Sequence, residues 1–302
     1  MEETLRKIGF DKTEINFFLN SYNGLDEADR ALFTKLGEEF SFCQNRAESI
    51  TLQEKLKPMA TKYDMDSRSL DMLFLLSNLE KLREAYLKKG ISEEIFYDTA
   101  KDFKYKLDEC KEKVGVLGVI PFWWYAIFFR AEIVALGRFQ YHTKPFFEGL
   151  TYEWGDFKIN SDDEVVNFHI PSSGPMPREA RIDSYKKAFA YFGRKKGEYL
   201  PIICESWLIF PGYREVFPKG SNLADFMEDF DIIDQSFGKA GEFLNARAVF
   251  GKPYDGDTSK LSANTTLQKN FIKFLNDGKI AGWGKGVILF DGEKIVNNKL
   301  DN

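Results

Sequence analysis

Up to about residue 112 the apolar residues of this chain recur at spacings of three and four, and beyond it that rhythm stops. The change of period limits the fold more than any single motif. In SLDMLFLLSNLEKLREAYLKKG, Leu70, Leu73, Phe74 and Leu76 lead on to Leu79, Leu82 and Tyr86, one stripe of a helix, and Gly90 supplies its stop. LDEADRALFTKLGEEFSFC and SEEIFYDTAKDFKYKLDECKEK repeat the pattern. A helical domain is expected over 1–112, with its many charges on solvated helix faces and no catalytic cluster among them.

After Glu112 the composition moves to Gly, Pro, aromatic and β-branched residues, so a second domain of strands and helices is expected over 113–302. The fold class is therefore α+β, a helical N-terminal domain followed by a mixed sheet with flanking helices. The predicted order is a helix at PFWWYAIFFRAEI, then strands at VALGRFQYH, LTYEWGDFKI and EVVNFHIP. The loop PSSGPM leads into a helix at PREARIDSYKKAFAYFG, followed by a strand at LPIICESWLIF and a helix at SNLADFMEDF. Strands near DIIDQSFG and ARAVFG, a helix at TTLQKNFIKFLNDG and a strand at GVILFDG complete it. The apolar run Val114 to Phe129 is shorter than the roughly 20 residues of a membrane-spanning helix. Pro121 interrupts it, and Arg130 and Glu132 close it, so it reads as core where the two domains dock.

A net charge of −5 gives no overall basic field for nucleic acid or an anionic membrane. Three distant cysteines, Cys43, Cys110 and Cys204, suit a reducing compartment, and the start MEETLRKIGF lacks the pattern of an export signal, so a cytoplasmic protein is expected. The two histidines, His142 and His169, have no metal-ligand spacing, and no metal is expected. G-x-S-x-G, Walker and post-strand G-x-G-x-x-G patterns are absent, which disfavours a serine hydrolase, a P-loop NTPase and a dinucleotide enzyme.

In EVVNFHIPSSGPMPREARIDSYKKAF a strand runs through a small-residue loop into a helix. The mouth of such a helix suits an anion such as phosphate, although Ser172, Ser173 and Gly174 can equally just turn the chain before Pro177 opens the helix. The runs LGRFQYH, VVNFHIPSSGPM, ESWLIFPGYREVFPKGSNLADF and TTLQKNFIKFLNDGKIAGWGKGVILF resemble the GNAT-like acyltransferase family of bacteria, in which a helical N-terminal domain precedes a GNAT-like one. The resemblance covers nearly the whole chain. It implies an acyl-CoA-dependent acyltransferase, with acetyl-CoA as expected donor and a small-molecule or peptide amine as acceptor. It also implies that the loop cradles the coenzyme A pyrophosphate, through Ser172, Ser173, Gly174 and Arg178. PSSGPMPR departs from the superfamily's coenzyme A fingerprint, so a GNAT-shaped binding or scaffolding protein stays open as the alternative.

Acylating an amine requires a group to take its proton and a route for a proton to the departing thiolate. His169, ending the strand before the loop, and Glu205, in the middle of the next, are the candidate bases. His169 is taken as an ordinary imidazole, and Glu205 as an inward carboxylate that needs a partner or a function. Tyr213, just past that strand, is the candidate acid, although a Tyr beside Pro211-Gly212 can equally pack. Strand alternation puts Glu205 and Trp207 on one face and Cys204 and Ser206 on the other. Ser221-Asn222 reads as a helix N-cap.

Overall fold

Asp11, Asp26, Asn45 and Ser92 each accept from the backbone N–H three residues on, and each thereby closes the front of a helix. The computed structural model describes residues 1–298 and divides them into two units. The first comprises Met1–Ala135 with Pro171–Ser173, and the second Leu136–Ile170 and everything described from Gly174 on. The division therefore falls at Ala135, not after residue 112.

Helices α1 (Glu2–Lys7), α2 (Lys12–Gly24), α3 (Glu27–Phe40), α4 (Arg46–Glu54) and α5 (Lys57–Lys62) open the first unit. α6 (Ser67–Ser77), α7 (Leu79–Lys88), α8 (Glu93–Val114) and the single turn α9 (Ala126–Phe129) follow. Gly115, at φ +72°, ends α8 in the left-handed conformation that glycine adopts without strain. The helix expected over PFWWYAIFFRAEI is only a 3₁₀ turn, Phe122–Tyr125, running into α9. Its rings fill the core of this unit. Phe122 and Phe129 lie 4.8 and 4.9 Å from Phe40, and Tyr125 stacks on Phe103 at 4.4 Å. Among the described residues no helix is long and apolar enough to cross a membrane.

β1 (Val134–Leu136) has only Leu136 in the second unit. That unit is built on the strands β2 (Phe139–Pro145), β5 (Glu164–His169), β6 (Leu200–Ser206), β7 (Asp231–Phe237) and β8 (Gly282–Phe290), in the order β2-β5-β6-β8-β7. β3 (Tyr152–Trp154) and β4 (Phe157–Ile159) form a separate hairpin around Gly155, so LTYEWGDFKI is two short strands where one was expected. One sheet face carries Phe139 and Phe168, 4.5 Å apart, which meet Tyr185 of α10 (Arg178–Tyr191) and Phe226 of α11 (Asn222–Met227). Ser221 caps α11 as expected, accepting from Ala224 N–H. Under these helices the fully buried Arg181 binds Asp229 at 2.7 Å, Asp225 at 2.6 Å and the Met176 carbonyl at 2.7 Å.

On the opposite face Val165, Ile203, Val287 and Leu289 pack with Phe146, Phe147, Tyr152 and Ile159. ARAVFG is a helix, α12 (Ala246–Phe250), and not a strand. Ala246 and Phe250, four apart, bury one stripe in an aromatic cluster with Phe271 and Phe274 of α13 (Thr266–Asn276), and Gly251 at φ +72° terminates it.

Candidate active site

Asn167 and Ile203 form the last rung between β5 and β6. These parallel strands share just two register pairs, Val166–Ile202 and Asn167–Ile203, although they are six and seven residues long. Past that rung β5 continues along β2 to the Gln140–His169 pair, and β6 continues along β8 to the Ser206–Gly284 pair. The sheet thus opens into a V at the carboxyl ends of two parallel strands, where open α/β sheets hold ligands.

Alternation puts His142 and Lys144 of β2, Asn167 and His169 of β5, and Glu205 of β6 on the same face. With Ser236 of β7 and Trp283 of β8 they line an open cavity of about 560 Å³. The apolar packing of Val165, Ile203 and Val287 floors the rest of that face, so the polar residues gather where the sheet diverges.

Asn167 organises the near wall. Its amide nitrogen lies 3.0 Å from Nε2 of His142 and 3.0 Å from Nε2 of His169, and the two rings stack 5.0 Å apart at 13°. A donating NH₂ between them places the lone pair of each imidazole at Nε2 and its proton at Nδ1. His142 Nδ1, 3.1 Å from the Thr143 carbonyl, fits that tautomer. Burial first, and then the neighbouring His142 and the Lys144 ammonium, push the His169 pKa down to about 3. His169 is therefore not the ordinary imidazole expected from sequence; it is neutral through the physiological range.

Glu205 is exposed on the far wall and makes no hydrogen bond or ion pair among the described residues. Its expected inward position is corrected: the carboxylate stands in the open V and needs no structural partner there. Tyr213 does not belong to the site. It is fully buried, its ring 4.9 to 5.3 Å from those of Phe210, Phe271 and Phe274. Its oxygen approaches the Gly282 amide without making a well-formed hydrogen bond, and burial drives its pKa up. A tyrosine so enclosed cannot deliver a proton to a thiolate in the V. Cys204, on the other face of β6, is buried too, and burial pushes its thiol up to about 12.

The loop residues lie elsewhere. Ser172 donates to Glu109 within the first unit, which places a carboxylate against the hydroxyl expected to meet phosphate. Ser173 is exposed, as is Gly174, at φ +98° with open space where a Cβ would stand. Arg178 opens α10 and lies 3.7 Å from Asp229 and 3.9 Å from Asp225. Pro177 occupies the N-cap, and no side chain caps the first turn. Sequence reading missed His142, Lys144, Asn167, Ser236 and Trp283. The signal for three of them is present, since Asn167 lies two residues before His169 and therefore on its face, and FQYHTK alternates His142 with Lys144.

Residues 133–288 match the GNAT-like C-terminal domain, and residues 1–131 match the N-acyltransferase N-terminal domain. No curated protein sequence matches the chain. Among solved structures, an acyltransferase in complex with decanoyl-CoA and teicoplanin is similar with a TM-score of 0.70, 16% identity and coverage of 95% of this chain and 86% of that one. An acyltransferase mutant in complex with octanoyl-CoA is similar with a TM-score of 0.70, 16% identity and coverage of 97% and 87%. At that identity the likeness speaks for the fold.

Proposed function

Since the chain belongs to the acyltransferase family that joins an N-acyltransferase N-terminal domain to a GNAT-like C-terminal domain, we propose that it transfers an acyl group from a coenzyme A thioester to an amine, with the thioester in the V between β5 and β6. The observation that carries the reading is the ladder that stops at Asn167–Ile203, with His169 on one diverging strand and Glu205 on the other. Strand edges that face each other across a gap offer backbone donors and acceptors to the amide-bearing arm of coenzyme A. The coenzyme A phosphates are assigned to the start of α10, whose first turn has no side-chain cap and whose dipole is positive there.

The neutral amine attacks the thioester carbonyl carbon, the C–N bond forms and the C–S bond breaks, and the coenzyme leaves as thiolate, which takes a proton from water. The amine proton passes to His169 or Glu205, directly or through water. The resemblance in sequence points to an acetyl donor, while the octanoyl-CoA and decanoyl-CoA of the structural neighbours extend the candidates to longer chains.

Isothermal titration of the full chain with coenzyme A and with acetyl-, octanoyl- and decanoyl-CoA tests the donor without knowledge of the acceptor. Saturable binding of at least one thioester is expected, with a raised melting temperature. No binding at millimolar concentration would sink the reading in favour of a GNAT-shaped binding protein.

A further inference from the structure

Two opposite charges line this pocket without neutralising each other. Glu205 projects from β6, and its cross-strand neighbour on β8 is Lys285, the natural partner for a carboxylate on an antiparallel pair. Lys285 turns instead to Asp234 of β7, 2.9 Å away, and Glu205 has no cation among the described residues. Lys144, half-buried on β2, is the second charge. It rests 5.5 Å from the Phe147 ring centre and has no carboxylate partner among the described residues. Lys285 Nζ lies 5.5 Å from the same ring centre, held by its Asp234 partner. Asn167 and the stacked imidazoles of His142 and His169, which line the cavity with Lys144 and Glu205, supply hydrogen-bonding atoms.

The half-buried Lys144 charge is costly unless something compensates it, and a ligand with the reverse arrangement compensates it while meeting the exposed Glu205 with complementary charge. We infer that the acceptor is an amino carboxylate, its amine directed to Glu205 and its carboxylate held by Lys144. This rests on the acyltransferase reading and names the substrate class for the same pocket. The register also sets the ligand's length. Lys144 is level with Val165, and Glu205 lies two residues beyond Ile203 of the last rung, two strands away. The two Cα positions are therefore on the order of 15 Å apart from strand rise and spacing. A separation of that order is too wide for an α-amino acid and calls for a chain of several methylenes between the two charged ends. The acceptor class is an extended ω-amino carboxylate.

The test reads acceptor binding, so it does not depend on turnover. 6-Aminohexanoate, hexylamine and glycine are titrated into the full chain by ligand-observed NMR, with and without saturating coenzyme A, in wild type, Lys144→Met and Lys144→Arg. 6-Aminohexanoate is expected to bind at least roughly tenfold more tightly than hexylamine or glycine, as a single buried charge-assisted contact provides. Lys144→Met should bring the 6-aminohexanoate to hexylamine ratio close to one, and Lys144→Arg should keep part of the preference. Equal binding of 6-aminohexanoate and hexylamine to wild type, or no binding of any probe, would overturn the inference. A preference that survives Lys144→Met would overturn it too. Weaker coenzyme A binding in Lys144→Met with the amine preference intact would make Lys144 a ligand of the donor phosphates and likewise end the proposal. Failure of coenzyme A to bind wild type bears on the donor reading alone, because the acceptor titration is also made without it. Matching melting curves and circular dichroism establish that the variants fold.

Discussion

Asn167 and His169, two residues apart on β5, are joined side chain to side chain at 3.0 Å, with the amide nitrogen of one directed at Nε2 of the other. The same amide reaches His142, so a single asparagine fixes the tautomer of both imidazoles in the pocket. Adding a proton to His169 Nε2 would set it against an N–H donor. In wild type the His169 ring nitrogens, followed by ¹⁵N NMR, should remain in the neutral Nδ1–H form from pH 8 down to about 4, given a pKa of about 3. Asn167→Asp replaces the donor by a carboxylate that accepts from Nε2–H, and should raise the His169 pKa by more than one unit. A wild-type midpoint near 6.5 would contradict this account.

Stability should fall on acidification for the same reason. The unfolded His169 titrates near its usual 6.5 and the folded one near 3. Between those values the unfolded chain binds a proton that the native chain refuses, so stability is lost as pH drops from about 6.5 and levels off below about 3. One group contributes at most about 1.4 kcal/mol per pH unit, and the partial exposure of His169 reduces that. Urea unfolding of wild type and His169→Gln at pH 7, 6 and 5 checks it: the variant should lose less stability over that interval.

The proton acceptor is settled by comparing His169→Gln with Glu205→Gln at saturating donor. The residue that takes the amine proton should, when replaced, lower kcat by roughly 10²–10⁴ and remove the acidic limb of the pH profile while coenzyme A affinity holds. The physical contrast is sharp. His169 offers a neutral imidazole whose Nε2 lone pair is already engaged, whereas Glu205 offers a carboxylate without a partner among the described residues. Near-wild-type turnover in both variants would assign the proton to water.

Arg181 and Asp229, both fully buried, should be strongly coupled in stability. Arg181→Met leaves Asp229 with the Tyr185 hydroxyl at 3.0 Å and Arg178 at 3.7 Å. Breaking a buried pair from one side costs about 3–5 kcal/mol. Arg181→Met with Asp229→Leu should be less destabilised than Arg181→Met alone, because no uncompensated charge is then buried. Equal destabilisation of the single and double variants in urea would show that the pair is not what holds α10 to the Asp225–Asp229 segment.

Much of this fold was legible because local signals and packing agree in it. The capping box of Thr265 and Gln268 starts α13 where the periodicity places it, and Ser221 caps α11 as its position before LADFM suggests. Legibility failed where a short segment takes its state from tertiary partners. ARAVFG has the aromatic and branched residues of a strand, yet the burial of Ala246 and Phe250 on one side makes it helical. In the site, alternation put His169 and Glu205 on strands that do line one pocket, but no pattern in sequence reports that Asn167 bridges two imidazoles, since β2 and β5 meet only through the register. For Tyr213 the sequence left acid and packing roles equally open, because proximity along the chain to β6 says nothing about which way a 3₁₀ turn swings the ring; the ring packs.

The two-rung contact between β5 and β6 bears on how this sheet avoids sticking to other sheets. An unpaired strand edge on the outside of a protein is a template for another chain, and natural sheets blunt such edges with charge, bulges or short strands. Here a pair of edges is created inside the sheet instead, facing one another across a wedge lined by His169 and Glu205. A slender guest can enter it, but a second flat strand with neighbours of its own cannot, so the molecule displays hydrogen-bonding backbone to a ligand while withholding it from aggregation. The outermost strand on that side, β7, has a register shift at Ile232–Asp234 and ion-paired Asp234, the ordinary protections of an outer edge. One sheet thus carries an edge to be blocked and an edge to be used, and the distinction lies in the width of the space in front of each.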